Sequence, residues 1–169
     1  QGHIHAGITG GAFLFKLLME SHRNDLLYTM VSQESYPSWG NMLKQGATTF
    51  WESWENNPDL SYIHSSYLYV GAWFIHGVLG IQAEEPGYRR IRIQPGPVDQ
   101  PSLSSASGSF HSAQGPIWVQ WNRNERQFIL GTGIPPNTTA IVHVPARNRE
   151  TLSMAQGARF IRMEGDRAV

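Results

Sequence analysis

The chain is 169 residues long, its thirteen Lys and Arg cancel its thirteen Asp and Glu, and it contains no cysteine. Balanced charge without a basic run removes the electrostatic footprint that a phosphate backbone needs. No apolar run approaches the roughly 18 residues of a membrane span, and the lack of thiols removes disulfides, thiolate chemistry and cysteine zinc sites. Neither nucleic acid nor a membrane is therefore an expected partner.

Charged residues make up 15% of the chain while aromatics reach 11%, with six tryptophans. Ordinary soluble domains carry about 25% charged residues, so much of this surface is expected to lie against other protein, as in a piece of a larger body. Gln1 is not an initiator methionine, and the residues after it lack the charged and apolar regions of a signal peptide. The compartment stays open.

In chain order, Phe13 to Met19 sets Phe13 with Leu17 and Leu14 with Leu18 at helical i,i+4 spacing, before a polar break at Glu20 to Asp25. Asn24 or Asp25 can cap a second helix, Leu26 to about Ser32. The loop Tyr36-Pro37-Ser38-Trp39-Gly40 follows, then a short helical turn over Asn41 to Lys44. The longest helical run is Ser65 to Ile81, apolar almost all round, which predicts a helix buried on several sides, as in the inner ring of a helical barrel.

Composition changes at Pro86-Gly87. Beyond it, Arg90 to Gln94 and Ile117 to Asn122 alternate polar with apolar residues, as half-buried strands do. Arg126 to Leu130 and Thr139 to Val144 continue the pattern, with a loop at Ile134-Pro135-Pro136-Asn137 between them. The expected fold class is α+β and multi-domain: helices over 1–85, then an antiparallel β-sandwich over 86–169.

The chemistry concentrates in Gly46-Ala47-Thr48-Thr49-Phe50-Trp51-Glu52-Ser53-Trp54, which sets one carboxylate between two indoles. Indole faces offer flat apolar area to the C–H face of a pyranose, and a partly desolvated carboxylate suits general acid or base work. The plain alternative is a surface glutamate between two core tryptophans. If the turn alternates, Trp51 and Trp54 do not both face a sugar. Trp39 and Tyr36, in a proline loop, are candidate lining residues. His64, at the head of the long helix, can donate to a sugar hydroxyl, bond Glu52, or simply be a satisfied core histidine.

Glu55 lies too close to Glu52 on a helix to complete an inverting pair, which needs roughly 6.5–9.5 Å between carboxyl groups, so it reads as a rim residue. His3 and His5 have the spacing of a two-histidine arm, but no third ligand follows at a recognisable interval. No metal or cofactor is expected.

Taken in order, Tyr36-Pro37-Ser38-Trp39-Gly40, the Thr48-Thr49-Phe50-Trp51-Glu52 element, Ser61-Tyr62-Ile63-His64, Leu79-Gly80-Ile81 and Pro86-Gly87-Tyr88 resemble the bacterial α-L-rhamnosidases, glycoside hydrolase family 78. The resemblance implies the last part of an (α/α)6 barrel followed by a C-terminal β-sandwich, and inverting hydrolysis of terminal α-L-rhamnosides. By position it makes Glu52 the general base and His64 a contact to the bound sugar. The general acid would lie in polypeptide before Gln1, so the chain alone is expected to be inactive and to need that upstream part as its partner.

Two departures bear on specificity: Ile63 stands where the family often has asparagine, and the loop from Glu52 to His64 is short beside many members. The chain also ends before a final strand typical of the family. Two readings from other classes stand beside this one. One is a non-catalytic carbohydrate-binding or scaffold piece that uses Trp118 and Trp121, and the other is a polysaccharide lyase on a similar barrel.

Overall fold

The computed structural model describes residues 2–96, 100–155 and 157–169, and the chain divides into two compact units, Gln1–Phe74 and Ile75–Val169. Among the described residues no helix is long and apolar enough to cross a membrane.

The first unit is helical. α1 (Ile8–Glu20) begins earlier than its apolar repeat suggests and takes Gly10 and Gly11 into its first turns. Gly11 is required there, because a side chain would meet the hydroxyl of Tyr69. α2 (Asn24–Val31) differs from expectation at its start: neither Asn24 nor Asp25 caps it. Asn24 Oδ1 instead accepts from Trp73 Nε1 at 2.9 Å. Asp25 pairs with Arg23 at 2.8 Å, and that guanidinium holds its carboxyl below the usual carboxylate range. α3 (Trp39–Lys44) follows a cis Tyr36-Pro37 bond and is capped by Ser38, whose Oγ accepts from the Asn41 N–H at 3.0 Å.

The long helix expected over Ser65 to Ile81 is shorter and less regular. α4 covers only Tyr69–Trp73, and Phe74–Val78 continues as a π-helix. Gly80 then turns the chain at a φ of 73°, and Ile81 already belongs to a strand. Nor is the run buried all round. Tyr67, Val70 and Trp73 are buried, but Leu68 and Phe74 are 49% and 47% exposed.

The second unit holds three three-stranded sheets among the described residues. β1 (Ile81–Ala83) pairs antiparallel with β2 (Arg90–Ile93), which pairs with β6 (Thr139–Val142). β3 (Ser105–Ser112), β4 (Gly115–Arg123) and β5 (Phe128–Gly133) form an antiparallel meander. β7 (Val144–Pro145), β9 (Arg167–Ala168) and β8 (Met163–Glu164) form the third sheet.

The β2–β6 pair is parallel, which corrects the expectation of antiparallel pairing throughout. Parallel neighbours need a long connection rather than a hairpin, and here the whole β3–β4–β5 meander supplies it. Alternation predicted the core well: Ile91, Ile93, Ile117 and Trp121 are fully buried. Trp121 stacks near Phe128 and donates its indole N–H to the Val78 carbonyl at 3.0 Å.

Candidate active site

Everything in the candidate site belongs to the first unit. Gly46 ends α3 at a φ of 88°, a backbone state that costs glycine little. The chain then runs on through bends, and two backbone bonds tie it to a later segment: Glu52 N–H donates to Ser61 O at 2.9 Å, and His64 N–H donates to Phe50 O at 2.8 Å. The Thr49 hydroxyl also donates to the Tyr62 carbonyl. Between these ties the loop closes on an Asn57 turn, in which Asp59 N–H donates to Asn57 Oδ1 at 2.9 Å. Tyr62 fastens it from outside by donating to Asn56 Oδ1 at 2.7 Å.

This clasp sets Glu52. Its Oε2 accepts the Ser61 N–H at 3.0 Å, so the loop that follows the carboxylate also holds it. No Lys, Arg or His among the described residues forms an ion pair with it. The side chain is half-buried and lines an open depression of about 580 Å³ together with Gly7, Thr9, Ser53, Leu60 and Tyr67. One carboxylate oxygen is thus pinned by a backbone donor while the group faces a cavity large enough for water and part of a ligand.

The tryptophans do something other than expected. Trp39, Trp51 and Trp54 are all buried, at 5–8% exposure, and none lines the depression. Trp54 stacks on Tyr67 at 3.8 Å and meets Trp39 edge-on at 5.0 Å. Trp39 and Phe15 in turn close on Tyr69. Trp51 packs against Tyr62 at 5.4 Å. The rings bracket Glu52 from the core side, since so much apolar area gains more from mutual burial than from an open wall. Here they are packing residues and not sugar platforms.

Tyr67, within the run expected to be a long buried helix, supplies the aromatic wall of the depression. Burial pushes its phenol up, with Tyr36 nearby adding to the shift, so it stays a neutral hydroxyl. Thr9 and Leu60 were also missed, because nothing local in either segment marks a residue for a cavity built from distant parts of the chain. Tyr36 is 53% exposed and donates to Glu55 Oε1 at 3.2 Å, which places both on the surface.

His64 is exposed, and its Nδ1 accepts the Ser66 N–H at 3.1 Å and contacts the Ser66 hydroxyl. A ring nitrogen that accepts from an amide leaves the other, Nε2, as the ring's donor. It lines a second depression of about 450 Å³ with Thr49, Phe50 and Leu68. Glu52 and His64 are therefore tied by the same clasp but face different hollows, and Ser61, not His64, bonds the carboxylate. His3 bonds Ser35 Oγ at 2.8 Å through Nε2.

Comparison with known proteins places both stretches of the chain in one family. Residues 1–78 match the bacterial alpha-L-rhamnosidase 6 hairpin glycosidase domain, and residues 80–159 match the bacterial alpha-L-rhamnosidase C-terminal domain. An alpha-L-rhamnosidase of Streptomyces avermitilis is 32% identical over 99% of the chain, and one of Formosa agariphila is 34% identical over 91%. The chain spans 17% of the length of each.

Among solved structures, the Streptomyces avermitilis alpha-L-rhamnosidase complexed with L-rhamnose superposes with a TM-score of 0.89 at 32% identity, covering 99% of this chain and 17% of that one. The alpha-L-rhamnosidase from Dictyoglumus thermophilum superposes at 0.80 with 30% identity, covering 99% of this chain and 18% of its own. With the helical stretch matching one domain of these enzymes and the strand-rich stretch matching the next, the chain belongs to the bacterial α-L-rhamnosidase family.

Proposed function

We propose that this chain is the closing portion of an (α/α)6 barrel, followed by its β-sandwich, in an enzyme that hydrolyses terminal α-L-rhamnosides with inversion. Glu52 is the general base. It takes a proton from a water that attacks the anomeric carbon opposite the leaving group. A carboxylic acid from the polypeptide that precedes this stretch in its relatives gives its proton to the glycosidic oxygen as that bond breaks, and the products are β-L-rhamnose and the free aglycone. His64, which faces a different hollow from Glu52, is given a contact to a hydroxyl of the bound glycoside by the family resemblance. The observation that carries the reading is a carboxylate with no ion pair among the described residues, held at one oxygen by the Ser61 N–H and lining an open depression.

Catalysis needs the second carboxyl group roughly 6.5–9.5 Å away. Glu55 does not supply it, being exposed and bonded by Tyr36. The partner is therefore the rest of the enzyme, and the exposed apolar side chains Phe13, Leu17, Leu43 and Ile63, at 59–79% exposure, are where it would seat. Proton NMR of the first sugar released by an enzyme containing this chain tests the proposal. The β anomer should appear first and then mutarotate, whereas initial release of the α anomer would mean retention and remove the water-activating role of Glu52.

A further inference from the structure

The meander of the second unit presents an outward face unlike the rest of the chain. Register puts Ser109, Trp118 and Gly133 in one row across it, Ser107, Gln120 and Gly131 in the next. Asn122 extends the row along β4. Trp118 is 48% exposed, while the inward residues Ile117, Val119 and Trp121 of the same strand are buried. Trp121, which the sequence suggested as a second glycan contact, is thus a core residue and takes no part.

The Trp118 ring has a built footing. A side chain at Gly133 would occupy the space of its indole, and one at Gly131 would come within 3.3 Å of it. Two glycines in one strand sacrifice strand preference, and what they make room for is an indole laid flat on the β5 backbone with its other face to solvent. Around it stand hydroxyls and amides, and no outward position of β3, β4 or β5 carries Asp, Glu, Lys or Arg.

We propose that this face is a second carbohydrate-binding surface, separate from the Glu52 site, which takes an uncharged glycan with Trp118 as the stacking platform. An aromatic ring fixed face-up offers its surface to the C–H face of a pyranose at little entropic cost. Ser109, Gln120 and Asn122 supply donors and acceptors for equatorial hydroxyls. Lack of charge is the complement: such a face gives a uronate or phosphate no counter-ion, and a protein partner no ion pair. From Trp118 to Asn122 the strand runs on the order of 14 Å, room for a short run of sugar rings.

Native electrophoresis of the 169-residue chain through gels containing arabinoxylan, hydroxyethylcellulose or polygalacturonate tests this. The wild-type chain should be retarded by at least one of the two uncharged polymers and not by polygalacturonate alone. Trp118→Ala should weaken retardation at least about tenfold, with Trp118→Phe intermediate, while Glu52→Gln should leave it unchanged. Gln120→Ala with Asn122→Ala gives the same test without touching the ring, should Trp118→Ala fold poorly.

Four results would overturn the proposal: no retardation by either uncharged polymer, retardation that survives both sets of changes, loss on Glu52→Gln, or self-association that Trp118→Ala abolishes without any effect of glycan. The ring would then only cover the two glycines or serve a contact between copies.

Discussion

Replacing Glu52 by glutamine separates chemistry from structure, because the local geometry limits what the fold can lose. The glutamine Oε1 can occupy the position of Glu52 Oε2 and accept the same Ser61 N–H at about 3.0 Å. What changes is one charge-assisted bond becoming neutral, a loss of about 1 kcal/mol in a partly exposed setting. For a chain of this size that lowers the melting temperature by about 2–4 °C.

Turnover should respond very differently. An amide cannot take the proton from water, and a positioned general base contributes typically 10²–10⁴-fold, so kcat should fall by that factor, roughly 3–5.5 kcal/mol of barrier. The assay is kcat and KM on an aryl α-L-rhamnoside with an enzyme that contains this chain, alongside its thermal melt. Glu52→Ala should match glutamine in turnover but melt lower, because it leaves the Ser61 N–H without an acceptor. A kcat within about threefold of wild type would remove Glu52 from proton transfer, and a melt about 10 °C or more lower in the glutamine variant would make the carboxylate a structural clasp.

Other expectations concern the second unit. Trp121→Phe should cost about 2–4 kcal/mol in urea unfolding, since it opens a cavity and leaves the buried Val78 carbonyl without its donor; Trp118→Phe should cost within about 0.5 kcal/mol. Gly80→Ala should cost at least about 2 kcal/mol, because the residue sits at a φ of 73° and a side chain there would run into the backbone of Gln94 and Pro95. His143 is held below the usual imidazole range, mainly by burial, with Arg92 and Arg167 adding to the shift while Glu164 and Glu84 oppose it. The unfolded chain therefore takes up its proton first, so stability should be full above about pH 6.5 and fall as pH drops below it. A pH series of urea midpoints should show this slope, and His143→Gln should flatten it.

Legibility followed the range of the interactions. Strands with a buried face, such as β2 and β4, could be read because alternation reports burial directly. β3 shows no clear alternation of apolar with polar residues: Ser105 to Ser112 is serine, glycine and alanine with one phenylalanine and one histidine, a composition that reads largely as turn. It is a strand because Leu79 packs against Gly108 and β4 pairs along its whole length. The capping role expected of Asn24 failed for a similar reason, since Trp73, far along the chain, claims its oxygen. In the site, the motif singled out Glu52, but the burial of three indoles and the arrival of Thr9 and Tyr67 depend on packing that no local pattern encodes.

The clasp bears on how the short loop after Glu52 affects the site. Both functional candidates are fixed at the neck of that loop: Glu52 by its two bonds with Ser61, and His64 by its bond to Phe50. Trp54 anchors the start of this loop in the core, and beyond it the exposed Pro58 and Asp59 form a turn closed through Asn57. Changes of length there alter closure entropy only slowly, about 0.6 kcal/mol for a doubling, and do not move the two segments that carry the carboxylate and the imidazole. Leu60 and Ser53, by contrast, form part of the wall of the depression that Glu52 faces. Loop length would thus set which groups fit against the rim while the segments that carry Glu52 and His64 keep their ties to each other.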